Sequence, residues 1–130
     1  MREKSLILYV DDDPDDRELF GEALARCGAH YDLITAEDGF EALKILKSGE
    51  KPSCLYLDVN MPGIDGIELL KIIKADSQYA AIPVFIFSTA VDPKHIEEAK
   101  RLGAMDVIIK PTSFQGLIDH LQSSFASPDS

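Results

Sequence analysis

Short apolar segments alternate with amphipathic segments along the whole chain, five of each. The apolar segments have the length and continuity of strands covered on both faces of a sheet, and the amphipathic segments repeat apolar residues with the period of a helix. This alternation predicts an α/β fold in which helices cover both faces of a parallel sheet. The predicted strands are 6–10, 31–36, 54–57, 84–87 and 107–109, and the predicted helices are 14–27, 38–47, 67–75, 93–102 and 114–125.

Residues at the ends of these segments support the boundaries. Asp13 and Asp92 each precede a proline, the arrangement expected of an N-cap followed by the first helical residue. Gly28 and Gly103 follow two of the helices, as glycines commonly do at helix C-termini. The second strand alternates apolar with polar residues, which predicts that it lies at an edge of the sheet.

The chain has 130 residues, the length of one domain with a single core. We expect residues 1–130 to form one domain, with the core at about 6–125 and a frayed polar tail at 127–130. The last helix ends close to the end of the chain, so we expect neither a DNA-binding nor a catalytic output domain.

Charge and apolarity exclude several classes of partner. The chain has 13 basic and 23 acidic residues, and its net charge of −10 disfavours direct contact with nucleic acid or an anionic membrane surface. The longest apolar stretch, 80–91, is interrupted by Pro83 and too short to span a bilayer, and the N-terminal apolar run is too short for a signal peptide. Cys27 and Cys54 form no CxxC motif, so we expect buried reduced thiols and a cytoplasmic location.

Polar residues at the ends of the predicted strands are the candidate site, because ligands of such sheets bind outside the carboxyl ends of the strands. These residues are Asp11, Asp12 and Asp13 after the first strand, Asp58 after the third, Ser88 and Thr89 after the fourth, and Lys110 after the fifth.

These residue types indicate phosphoryl chemistry with a metal ion. Carboxylates from two strands that converge on one edge repel one another unless a cation joins them. The candidate ligands are hard oxygens, with no histidine or cysteine, which favours Mg²⁺. Asp58 stands alone at its strand end, where it can act as a nucleophile that forms an aspartyl phosphate. Phosphoryl transfer needs mainly positioning and charge neutralisation, which Mg²⁺, Lys110 and the Ser88 hydroxyl can supply.

Each candidate also has a purely structural interpretation. The aspartates at 11–13 are compatible with a helix-capping cluster, although a cap needs one carboxylate, which Asp13 provides. Asp58 is compatible with a turn, Lys110 with a solvated charge, and Ser88 with a core hydroxyl bonded to the backbone. Their joint position at the ends of separate strands favours the functional interpretation.

Four motifs resemble the receiver domain of response regulators in two-component signalling, over about 6–125: VDDDP at 10–14, LDVNMPGIDG at 57–66, STA at 88–90 and KP at 110–111. The second motif is highly specific. Ser88 follows Asp58 by 30 positions and precedes Lys110 by 22, the spacing of the family's switch hydroxyl, and Thr89 misses both by one. Thr89 is therefore the lesser candidate. The resemblance implies a flavodoxin-like, doubly wound, three-layer fold with strand order 2-1-3-4-5 and five helices.

The same resemblance implies that the domain accepts a phosphoryl group. Asp58 would receive it from the phosphohistidine of a sensor histidine kinase or a histidine phosphotransfer protein. Mg²⁺ would be held by Asp58, by Asp12 directly, by Asp11 partly through water, and by the backbone carbonyl of Asn60. Lys110 would contact the phosphoryl oxygens. The family also implies a cis-type turn at Lys110–Pro111.

The output of the domain follows from the resemblance as well. Ser88 would move to hydrogen-bond a phosphoryl oxygen, and a protein target would bind a surface formed by Lys94, His95, Glu98, Arg101 and Val107. Val107 stands where the family usually has an aromatic residue. Valine is short and stiff, so we expect activation without rotation of a ring, by displacement of the loop at 89–93.

Several alternatives stay open. The domain could pass the phosphoryl group on to a second histidine in a relay. It could also be a binding scaffold that is not phosphorylated. Such a scaffold would lack one of the acidic residues, the acceptor aspartate or the lysine, and none of these is missing. A flavin binder would need a Ser/Thr/Gly-rich phosphate loop instead of the acidic 11–13. A haloacid-dehalogenase-like phosphatase would need Asp where Asn60 stands, and a nucleotide hydrolase would need a GxxxxGK[ST] motif. We expect a signalling domain that is not an enzyme, as a monomer or weak dimer.

Overall fold

The computed structural model describes residues 5–27, 31–89 and 92–125. Strands and helices alternate throughout, as the sequence predicts. The elements are β1 (Ser5–Val10), α1 (Pro14–Ala25), β2 (Tyr31–Ala36), α2 (Gly39–Lys47), β3 (Cys54–Leu57), α3 (Gly66–Ala75), β4 (Val84–Ser88), α4 (Pro93–Arg101), β5 (Asp106–Ile109) and α5 (Phe114–Phe125).

The strands form one parallel sheet in the order β2-β1-β3-β4-β5. This order confirms the predicted topology and places β2 at an edge, as its alternating pattern predicts. Val10 pairs with Leu57, so the residues that follow β1 and β3 emerge side by side. Ser88 pairs with Ile109, which brings the ends of β4 and β5 together in the same way.

Buried apolar side chains form one cluster on each face of the sheet, so the molecule has three layers. The helices α2, α3 and α4 cover one face, with buried residues that include Leu46, Leu70 and Ala99. The helices α1 and α5 cover the other face, where Phe20 and Leu121 are fully buried. Successive strand residues point to opposite faces, and both faces of β1 and β3 are therefore apolar.

Short-range signals set the helix starts. Four aspartates accept a hydrogen bond from a backbone N–H in the first turn of α1, α2, α3 and α4; they are Asp13, Asp38, Asp65 and Asp92. Gly103 has φ 105°, a left-handed value that favours glycine after a helix. The predicted stop at Gly28 and the predicted tail at 127–130 lie outside the described residues.

One prediction for a single residue is wrong. Cys27, which we expect to be buried, is half-buried, and it lies beyond the last residue of α1, Ala25. Two apolar helix residues, Leu19 and Ile72, are 43% and 42% exposed. Cys54 is buried as predicted, and burial raises the pKa of its thiol to about 12.

The Lys110–Pro111 peptide bond is trans, so the expected cis-type turn is wrong. A trans bond before proline is favoured by about 0.5–1 kcal/mol. The trans chain already brings the Lys110 ammonium to Asp11 and Asp58, so nothing in the position of this side chain requires the cis form. Among the described residues, no helix combines the length and the apolarity needed to cross a bilayer.

Candidate functional site

Asp58 directly follows β3, and its side chain is held by donors from three directions. The residue is 7% exposed. Oδ1 accepts hydrogen bonds from the Ser88 hydroxyl at 2.9 Å and from the Asn60 backbone N–H at 3.1 Å. Oδ2 accepts one from Lys110 Nζ at 3.2 Å. The carboxylate is thus fixed at the carboxyl edge of the sheet.

Burial raises the pKa of Asp58 above its ordinary value, and the charge of Asp11 acts in the same direction. The hydrogen bonds from Asn60 and Ser88 and the charge of Lys110 oppose this rise without cancelling it. A carboxylate that is buried beside a second carboxylate is costly in its charged form. Additional positive charge near Asp58 would therefore favour the ionised, nucleophilic form.

Asp11 and Asp12 lie beside Asp58 and differ in their access to solvent. Asp11 is fully buried, and Asp12 is exposed. One carboxylate oxygen from each of the three residues lies within 4.8 Å of the others. Three hard oxygen donors at this separation fit Mg²⁺, which prefers carboxylates together with water. The exposed Asp12 leaves the group open to an incoming ion.

Lys110 connects the carboxylates of the site. Its Nζ lies 2.6 Å from Asp11 Oδ2, 2.8 Å from Asp16 Oδ2 and 3.2 Å from Asp58 Oδ2. Burial by itself lowers the pKa of Lys110, but the hydrogen bonds to Asp11 and Asp16 and the negative charges around the ammonium outweigh burial and raise it. Lys110 is therefore held as a cation inside the acidic cluster.

The two candidates for the switch hydroxyl, Ser88 and Thr89, differ in burial and in their contacts. Ser88 is fully buried and donates to Asp58, and its Oγ lies 3.5 Å from the Asn60 side-chain amide. Thr89 is exposed. Ser88 is the last residue of β4, and Thr89 lies beyond the strand. The structure brings Ser88 into the site and leaves Thr89 outside it.

The predicted output residues lie together on one side of the fold. Lys94 and Arg101 are exposed on α4, where they line a shallow groove with Glu97 and the half-buried Glu98. His95 on the same helix is half-buried. The half-buried Val107 of β5 packs against the apolar cluster of this face of the sheet.

Three residues of the site are absent from the sequence-based list. The Tyr9 hydroxyl donates to Asp11 Oδ2 at 2.7 Å, Asp16 binds Lys110, and Arg17 Nη1 donates to the Asp11 backbone carbonyl at 2.6 Å. The sequence does contain a signal for Tyr9, because Tyr9 lies two positions before Asp11 and residues two apart along an extended chain point to the same side. Asp16 and Arg17 lie in the first turns of α1, which begins at the same edge of the sheet.

Comparison with known proteins identifies the family. Residues 7–122 match the response regulator receiver domain. A chemotaxis protein CheY homolog of Campylobacter jejuni is 33% identical over 116 residues, which is 89% of this chain and 88% of the relative.

Solved structures share the fold. The phosphorylated cyanobacterial phytochrome response regulator RcpA superposes with a TM-score of 0.86 at 29% identity, covering 93% of this chain and 91% of the other. The Mn²⁺-bound form of response regulator Rcp1 gives 0.85 at 26% identity, covering 97% and 96%. The family match, the sheet order and the acidic cluster agree, and the chain belongs to the response regulator receiver domain family of two-component signalling.

Proposed function

We propose that this receiver domain accepts a phosphoryl group on Asp58 from the phosphohistidine of a sensor histidine kinase or a histidine phosphotransfer protein. The observation that carries the proposal is the Asp58 carboxylate itself. It is nearly buried, bonded to Ser88 and Lys110, and within reach of the oxygens of Asp11 and Asp12. A structural carboxylate would not need two further carboxylates beside it.

The side chains have separate parts in the proposed transfer. A carboxylate oxygen of Asp58 attacks phosphorus, the P–N bond to the donor imidazole breaks, and the imidazole leaves with the bonding pair. Lys110 contacts the phosphoryl oxygens, and the Ser88 hydroxyl, already 2.9 Å from Asp58, donates to one of them. No deprotonation of Ser88 or Lys110 is needed, because both act as hydrogen-bond donors.

A divalent cation completes the proposed site. Asp11, Asp12, Asp58 and the backbone carbonyl of Asn60 would hold Mg²⁺. When bound, the ion neutralises charge on the carboxylates and on the phosphoryl oxygens. The Mn²⁺-bound Rcp1 and the phosphorylated RcpA, which share this fold, support both parts of the proposal.

We propose that a downstream protein binds the surface on the α4 side of the domain. We also propose that the domain acts in the cytoplasm. Ser88 ends β4, and the chain passes from it to α4, so movement of the hydroxyl toward a phosphoryl group would be transmitted to the start of that helix. Residues 90–91 of the intervening loop lie outside the described residues. Lys94, His95, Glu98, Arg101 and Val107 are the proposed contact residues.

The test is phosphoryl uptake measured by intact mass. The protein is incubated with acetyl phosphate and Mg²⁺, and we expect one added phosphoryl group on the wild type and none on Asp58→Asn. Asp15→Asn is the control, because it removes an exposed carboxylate from the neighbouring turn of α1. Equal labelling of Asp58→Asn and wild type would refute the assignment. Profiling phosphotransfer from the kinases of the source organism then identifies the donor.

A further inference from the structure

All donors of the Lys110 ammonium are used inside the protein. Each N–H bond of a lysine –NH₃⁺ group can donate one hydrogen bond. The three acceptors are Asp11, Asp16 and Asp58, at 2.6, 2.8 and 3.2 Å. Asp58 is the most distant of the three. Any phosphoryl group on Asp58 that takes more than one hydrogen bond from Lys110 must therefore displace another carboxylate from the ammonium.

Asp16 is the acceptor whose removal would disturb the rest of the site least. Its side chain is 30% exposed, whereas that of Asp11 is fully buried. The carboxylates with oxygens within 4.8 Å of one another are Asp11, Asp12 and Asp58, and Asp16 is not among them. Asp16 also lies on α1, whereas Asp11 and Asp58 directly follow strands. Its hydrogen bond is to Lys110, and it is not one of the three carboxylates that fit a metal ion.

We propose that Asp16 competes with the phosphoryl group on Asp58 for Lys110, and so weakens the hold of the site on that group. This inference rests on the proposed function. A phosphoryl group brings a charge of about −1.5 to −2 and three acceptor oxygens. The carboxylate of Asp16 lowers the positive charge that Lys110 can offer, and it repels the incoming oxygens. Asp16 is thus a positioning residue that limits how strongly the phosphorylated form is stabilised.

The helix start offers a simpler role for Asp16, which a matched variant separates. Asp15 and Asp16 are both acidic residues in the first turn of α1, where negative charge interacts favourably with the helix dipole. Asp15 is exposed, and Lys110 reaches only Asp16. Asp15→Asn and Asp16→Asn therefore make the same change of charge in the same turn, and differ in the contact with Lys110.

The experiment compares two affinities in three proteins. Beryllofluoride, which imitates a phosphoryl group on aspartate, is titrated at saturating Mg²⁺ into wild type, Asp16→Asn and Asp15→Asn. Mg²⁺ alone is titrated in parallel. We expect beryllofluoride to bind Asp16→Asn about three- to tenfold more tightly than wild type, the effect of one charge at short range. We expect Asp15→Asn to bind it like wild type, and Mg²⁺ affinity to increase in neither variant, because both lose a negative charge.

Three results would overturn the inference or its basis. An equal increase in beryllofluoride affinity in Asp15→Asn and Asp16→Asn would mean that the negative charge at the start of α1, and not the contact with Lys110, weakens binding. Weaker beryllofluoride binding by Asp16→Asn would mean that Asp16 directs Lys110 toward the phosphoryl group instead of competing for it. Failure of the wild type itself to bind beryllofluoride would reject the proposed function, and this inference with it. Asp16→Ala, which removes the acceptor as well as the charge, should gain at least as much as Asp16→Asn.

Discussion

Asp11 is a fully buried residue whose carboxylate depends on protein donors for its stability. The Tyr9 hydroxyl, the Asp13 backbone N–H and the Lys110 ammonium all contact it. A buried charge is tolerated only when it is paired and hydrogen-bonded. The Tyr9 ring stacks on Phe20 with centroids 4.1 Å apart, which positions the hydroxyl over Asp11. Burial and the charge of Asp11 raise the pKa of Tyr9, so its hydroxyl remains a donor.

Tyr9→Phe should lower the free energy of unfolding by about 1–3 kcal/mol, because it keeps the stacked ring and removes a donor from a buried carboxylate. The measurement is urea denaturation without Mg²⁺. Tyr79→Phe is the control, since the half-buried Tyr79 has no hydrogen bond from its hydroxyl to the rest of the described chain. An unchanged urea midpoint for Tyr9→Phe would show that the bond to Asp11 contributes nothing to stability.

The raised pKa of Asp58 predicts a dependence of stability on pH. The folded state binds more protons than the unfolded state between the ordinary pKa of 3.8 and the raised value. The free energy of unfolding should therefore fall as pH rises through that window. Asn does not titrate, so in EDTA the stability gained by Asp58→Asn over wild type should widen over the same window. Denaturation curves at a series of pH values measure this gap. A difference in stability that stays constant with pH would contradict a raised pKa of Asp58 in the folded state.

At the scale of the elements, α3 begins in close contact with the segment that follows β3. The first residue of α3 is Gly66, and a Cβ there would lie 2.2 Å from the Asp58 carbonyl oxygen and 2.9 Å from Val59 Cα. Backbone atoms cannot yield as a flexible side chain can. The absence of a side chain at Gly66 thus lets the helix start directly against the segment that carries Asp58.

Gly66→Ala should therefore lower the free energy of unfolding by about 1–3 kcal/mol, the usual cost of forcing extra volume into a packed site. Gly21→Ala is the matched control within α1. Its Cβ would meet Leu33 at an ordinary 3.4 Å, so this change should stabilise the helix by roughly 0.5–1 kcal/mol. Thermal or urea unfolding of both variants provides the comparison. A Gly66→Ala protein as stable as wild type would mean that α3 can move away without cost.

In the proposed function, the passage from β4 to α4 couples the site to the output surface. Ser88→Ala removes the hydroxyl that contacts Asp58. We expect this variant to bind beryllofluoride but to lose most of the NMR shift changes in α4. The reason is that the alanine methyl group cannot donate a hydrogen bond to the group bound at Asp58, so nothing draws residue 88 toward it.

Thr89→Ala is the control for this prediction, because Thr89 is exposed and should be dispensable. In wild type and in Thr89→Ala, the shift changes should concentrate between Ser88 and Leu102. A full wild-type pattern in Ser88→Ala would rule out the hydroxyl as the coupling element.

At the scale of the whole molecule, charge is distributed unfavourably for folding. The net charge is −10, and the carboxylates of Asp11, Asp12, Asp16 and Asp58 gather at one edge of the sheet around Lys110. Self-repulsion of this kind destabilises a compact state. A cation that binds only the folded protein would offset it by mass action.

Mg²⁺ should accordingly raise the melting temperature at neutral pH. At a free concentration 100 times Kd the stabilisation is about 2.7 kcal/mol. Scanning calorimetry with millimolar MgCl₂ and with NaCl of equal ionic strength separates specific binding from screening. Asp12→Asn, which changes an exposed carboxylate of the cluster, should lose most of the shift. Identical melting of wild type in the two salts would exclude a specific metal site.

Local sequence patterns determined the elements, the helix starts and the edge on which the site lies. The predicted and observed boundaries of β2, β3 and α5 coincide, and those of α2, α3 and β4 differ by one residue. Periodicity and capping act over a few residues, so they can be read from a single chain. The polar residues at strand ends were equally readable, because parallel strands must deliver their carboxyl ends to one side.

Only the tertiary structure decided how the charges of the site are shared. Lys110 bonds to Asp16 across 94 positions of sequence and to Asp11 across 99, and it reaches both with a trans bond to Pro111. Such contacts depend on where α1 and the end of β5 lie over the sheet, which no local pattern specifies. A flexible side chain takes whichever acceptors the packed elements bring within its reach. The competition for Lys110 therefore becomes visible only in the folded molecule.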